Sequence, residues 1–131
     1  MTILTIHMTK AVEDLALKWV EYIMDGTNVE PLATSTVYSK VMKGSTYPDI
    51  PLVDTGKMLD SIGSRVEMLG ENEVLGTVEG TDDKWIWHEY GLGVPERPTL
   101  RPVVDINIDA ILETMADGIF EDIKQEFIKG D

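Results

Sequence analysis

The sequence predicts an α+β fold, with a small antiparallel sheet of three or four strands packed by a long C-terminal helix and an N-terminal helix. Three observations lead there. In the last third, Leu100, Val104, Ile108, Ile111, Leu112, Met115, Ile119, Ile123 and Phe127 recur every three or four residues, the spacing that puts side chains on one face of a helix. Met8, Val12, Leu15, Ala16, Trp19, Val20 and Ile23 repeat that pattern near the N-terminus. Between them, Val66, Met68, Val74 and Val78 lie in alternating stretches around Gly70-Glu71-Asn72-Glu73, a hairpin signature. A helical stripe and a hairpin each need another apolar surface, so the two kinds of element should form layers around one core.

Each element follows in order. The first helix is predicted from Met8 onward, capped by Thr9 and stopped by Gly26. Pro31-Leu32-Ala33-Thr34-Ser35-Thr36-Val37-Tyr38-Ser39-Lys40 combines a hydroxyl-rich cap with a short helical pattern. Residues 44 to 54 hold two prolines and no period, so they read as a mobile loop. A short helix follows over residues 54 to 62, with Met58, Leu59 and Ile62 on one face and Asp54 or Thr55 as cap. Strands are predicted near 64 to 69 and 74 to 80. Thr81-Asp82-Asp83-Lys84 is a polar turn into residues 85 to 90, which suit either a third strand or a tight helical turn. The last helix should run from about 101 to 128, capped by Thr99, with Pro102 tolerated in its first turn. Ile111, Met115, Ile119 and Ile123 should be buried.

At 131 residues and 43% hydrophobic content, the chain has the length of a single domain. It contains no cysteine, which removes disulfides, thiolate nucleophiles and cysteine-bound zinc and fits an intracellular setting. The sequence shows neither a signal-peptide pattern nor an apolar run long enough to cross a membrane, so no membrane partner is expected. The formal charge of −13 repels phosphate backbones and argues against direct nucleic-acid binding.

Residues 85 to 102 concentrate rare residue types: two of three tryptophans, three of six prolines and two of three arginines. The prolines make the second half, about residues 91 to 102, a stiff loop. Arg97 and Arg101, four residues apart on it, look like anchors for carboxylates on a neighbour or partner, with Pro98, Leu100, Trp85 and Trp87 as the accompanying interface residues. On the last helix, Asp105, Asp109, Glu113, Asp117 and Glu121 form a slowly winding acidic ridge that works against the helix by roughly 0.2–0.5 kcal/mol per pair. Such a ridge has a use if it faces a channel or a basic partner.

Catalytic signatures are weak. His88-Glu89 begins like a zinc-helix pattern, but the position of the second histidine is Leu92, and the other histidine is His7. Asp82, Asp83, His88 and Glu89 form a candidate set for a small metal-dependent hydrolase, against which stands the plainer reading of surface polarity. Asp54-Thr55-Gly56 is better explained as a helix cap than as a protease signature. No phosphate loop or nucleophile elbow is present, and no cofactor is expected.

Three ordered blocks carry a resemblance: Pro31-Leu32-Ala33-Thr34-Ser35-Thr36 followed by Lys40; Pro51-Leu52-Val53-Asp54-Thr55-Gly56-Lys57-Met58-Leu59-Asp60-Ser61-Ile62; and His88-Glu89-Tyr90-Gly91 with Val94-Pro95-Glu96-Arg97-Pro98-Thr99-Leu100-Arg101-Pro102. Together they resemble the tail-completion, or virion-morphogenesis, proteins of tailed bacteriophages. The chain departs from that pattern at Thr99, where a larger aromatic is usual. The resemblance implies a non-enzymatic virion protein of the neck or tail, a minor tail or head-tail joining component. It would assemble in the host cytoplasm as a homo-oligomeric ring, a hexamer or dodecamer, beside other neck or tail proteins, with DNA passing through unbound. Two rival classes remain, the metal-dependent hydrolase and an acidic DNA mimic that inhibits a basic protein.

Overall fold

The computed structural model describes residues 2 to 25, 40, 57 to 94 and 96 to 129. Helix α1 spans Ile3–Asp25, α2 is a single turn at Lys57–Asp60, strands β1 and β2 span Ile62–Gly70 and Glu73–Gly80, α3 is Lys84–Tyr90 and α4 is Leu100–Lys129. The expected helix over residues 31 to 40 and the loop over 44 to 54 lie outside the described residues, except for Lys40, which is helical. Gly26 and the caps Asp54 and Thr55 also lie outside them.

Helix α1 begins earlier than its apolar stripe indicates. The Thr2 hydroxyl accepts from the Thr5 amide at 3.1 Å and caps the helix, whereas Thr9 lies inside and donates to the Thr5 carbonyl. Val12, Trp19 and Ile23 form its buried line.

The described sheet has two strands rather than three or four. β1 and β2 pair antiparallel from Ile62↔Gly80 to Gly70↔Glu73 around a two-residue turn. The register slips between Met68 and Gly70, leaving Leu69 as the extra residue of a bulge that bends the hairpin tip. Residues 84 to 90, which alternation left open as strand or helical turn, are α3. The reason lies in which side chains are buried: Trp85 and Glu89 go inward while Ile86, Trp87 and Tyr90 stay exposed, and positions four apart share a helical face. Gly91 ends α3 with φ +69°, its amide donating to the Trp87 carbonyl, a left-handed geometry that suits glycine.

The layering also differs from expectation. Helix α1 packs on both strands and on α4, and α4 has α1 as its main neighbour instead of lying across the sheet. The core is accordingly centred on Trp19, Ile23, Trp85 and Val103, with the two indoles 5.2 Å apart and tilted by 54°. Of the four α4 residues expected to be buried, Ile111 is buried, Met115 and Ile119 are half-buried, and Ile123 is exposed. A helix leaning on one neighbour covers a narrower strip than one resting on a sheet, so the outer edge of its stripe stays in solvent.

Candidate functional site

The site with the densest polar organisation is the junction between α3 and the start of α4. A helix opens with backbone amides that have no partner within the helix. Here Glu89, on α3, supplies the partners from outside. Its Oε1 accepts from the Thr99 and Leu100 amides at 2.9 and 3.0 Å, and its Oε2 accepts from the Arg101 amide at 3.1 Å. Pro102 has no amide to satisfy, and the Val103 amide already reaches the Thr99 carbonyl at 3.1 Å. The first turn of α4 is therefore fully accounted for. A carboxylate at this end is also favoured by the helix dipole.

Arg101 closes the junction. Its Nε donates to Glu89 Oε2 at 2.9 Å, and one Nη donates to the Glu89 carbonyl at 2.5 Å and to Glu96 Oε1 at 3.1 Å. The guanidinium also lies over the Tyr90 ring, 4.8 Å from its centroid. Burial alone would push the Glu89 carboxyl up, but the Thr99, Arg101 and Leu100 amides and the Arg101 side chain outweigh it and hold the group below the ordinary glutamate value.

Thr99 stands at the capping position of α4, as the sequence predicts, and its carbonyl accepts the first helical bond from the Val103 amide, while its hydroxyl accepts from the Trp19 indole N–H at 2.7 Å in the core. Thr99 is 1% exposed, so a larger side chain there would have to displace its neighbours. Trp85 is likewise tied in, its indole N–H reaching the Met58 carbonyl at 3.0 Å and the Ser61 hydroxyl at 2.9 Å. Trp85 thus ties α3 to the second sequence block.

The sequence-derived interface residues therefore divide. Trp85 and Arg97 are buried, Pro98 and Leu100 are half-buried, and Trp87 and part of Arg101 face solvent. Arg97 donates its amide to the His88 carbonyl at 2.7 Å. Neither arginine stands free on an open loop, since Arg101 finds its carboxylates within its own chain. The ridge residues Asp105, Asp109, Glu113, Asp117 and Glu121 are all exposed.

The hydrolase set is not assembled. Asp82 accepts from the Lys84 amide at 3.0 Å, Asp83 is exposed, and both Glu89 oxygens are engaged. Burial, with Arg97 and Lys84 nearby, pushes His88 below the ordinary histidine value, and its Nδ1 is buried without a hydrogen-bond partner among the described residues. No group of three or more histidine and carboxylate side chains among the described residues is placed to hold a metal ion. No described helix is long and apolar enough to cross a membrane.

Sequence reasoning missed two features. The Glu89 cap acts across ten residues and a loop, so no local capping pattern announces it. His7 Nε2 meets Asp122 Oδ2 at 2.5 Å, joining the start of α1 to the far half of α4, a contact 115 residues apart with no sequence signal. No family model, curated protein or solved structure matches the chain.

Proposed function

We propose that this protein is a structural subunit of a tailed-bacteriophage virion, acting in tail completion or head-tail joining as one member of a ring through which DNA passes. One observation carries the reading. Within the third of the resembling blocks, Glu89 binds Arg101 and the amides that open α4 instead of lining a cleft. An arrangement of that kind supports a role in holding the fold and its surfaces in place. Large apolar side chains meanwhile remain exposed on the hairpin tip, at Met68, Leu69 and Leu75, and along α4. Exposed apolar patches of this kind mark surfaces that neighbours cover. The acidic ridge winds by about 40° per step of four residues, or about 160° from Asp105 to Glu121, so it cannot face one surface throughout. Its first half, Asp105 and Asp109, is assigned to the channel wall, where like charge lets DNA slide without adhering. Light scattering and negative-stain microscopy on the purified protein test the reading: closed particles with a central opening are expected, and a monomer at every concentration sinks it.

A further inference from the structure

We propose that the chain carries both halves of a head-to-tail contact, in which the exposed face of the C-terminal half of α4 in one copy seats in the groove between α1 and α4 of the next. The inference rests on the ring-subunit reading and supplies the surfaces that reading leaves unnamed. At about 100° per residue, Ala116, Phe120, Ile123 and Phe127 fall within an arc of about 60°. Phe120 is 68% exposed, Ile123 44% and Phe127 77%, and Glu113, Asp117 and Lys124 flank them on one side, a net acidic edge. The second half lies on the opposite side of α4, about 180° around. It is a groove of about 400 Å³ whose walls include Lys10, Ala11 and Lys18 from α1 and Ala110, Ile111 and Met115 from α4. The alanines leave the space open and Ile111 and Met115 give it an apolar floor. Lys10 and Lys18 stand at its edge, with Asp14, loosely paired to Lys18 at 3.9 Å, between them.

Charge decides which occupant fits. Two α4 faces meeting symmetrically would set one net acidic flank against another, in a chain already at −13, and like charges facing each other oppose docking. The groove edge, with two lysines to one aspartate, presents the opposite sign. Because the face and the groove are separate surfaces, each copy engages two neighbours. Such heterologous contacts propagate until they close as a ring or run on as a filament.

The test uses two variants of the full chain, each defective in one half. Phe120→Ser with Phe127→Ser removes the inserting face, and Lys10→Glu with Lys18→Glu reverses the groove edge. All four positions lie away from the core, and circular dichroism checks that both variants fold as wild type does. In analytical ultracentrifugation each variant should need at least about tenfold higher concentration to assemble. Mixed together they should form one-to-one dimers and nothing larger, because one intact face and one intact groove remain. Adding Glu113→Lys and Asp117→Lys to the lysine variant should restore assembly. Either variant assembling as wild type does, or a mixture that stays monomeric, overturns the contact and leaves the ring reading standing. Wild-type protein that forms only open filaments through this contact sinks the ring and keeps the contact. Wild-type protein monomeric at all concentrations overturns both.

Discussion

Glu89 is the residue on which the start of the long helix depends. Four donors converge on its carboxylate, three of them backbone amides that no other described group satisfies. Replacing it by glutamine puts an amide NH₂ against those donors, and the expected loss is about 2–3 kcal/mol by urea unfolding at neutral pH. The pH dependence follows from the direction of its shift. The folded protein holds Glu89 below the ordinary value of 4.5. Its contribution is therefore fully present above that value and lost as pH falls through the lower folded value. Wild-type stability should drop more steeply than that of Glu89→Gln below about pH 4.5. Parallel curves for the two proteins would show that the carboxylate charge contributes nothing to the cap.

The pairing of α1 with α4 depends on close approach at the element scale. Gly118 lies beneath the His7 ring, and a Cβ added there would stand 2.5 Å from its Cε1 and 2.6 Å from its Nδ1. The ring has little freedom to yield because Asp122 holds its other edge. Alanine improves a helix interior over glycine by up to about 1 kcal/mol, whereas forced overpacking costs about 1–3 kcal/mol. Gly118→Ala should therefore destabilise the wild-type protein by about 1 kcal/mol. With His7→Ala already in place, the same substitution should stabilise it. Thermal unfolding of the four proteins completes the cycle, and an equal effect in both backgrounds would mean that the ring is not the obstacle.

At the scale of the whole molecule, α1 lies between the hairpin and α4, so the long helix keeps an outer side with no described neighbour. That side carries the exposed apolar face and the first part of the acidic ridge, at different heights along the helix, and the two serve different purposes in the proposed assembly. Asp105→Lys with Asp109→Lys should leave assembly intact and give the ring a measurable, salt-sensitive affinity for duplex DNA, read by fluorescence anisotropy at low and physiological salt. Assembly with no DNA affinity at low salt would place those two residues on the outer wall. Periodicity determined much of this architecture in advance: both long helices, the hairpin and its turn, and the exposure of the ridge are legible because local spacing of apolar and charged residues is itself the signal. What it could not determine was where each stripe finds its partner. Residues 85 to 90 suit both a strand and a helical turn as a local pattern, and burial of Trp85 and Glu89 on one side selects the helix. The sheet was overcounted for that reason, and the burial of Ile123 failed because α4 rests on one helix instead of a sheet. Arg101 and Glu89 were each visible as charged residues in an unusual segment, yet their pairing, the Trp19–Thr99 bond and the His7–Asp122 contact all cross loops or the length of the chain. Tertiary structure alone decides such contacts, because a buried charge or indole takes whichever partner the packed fold brings within reach.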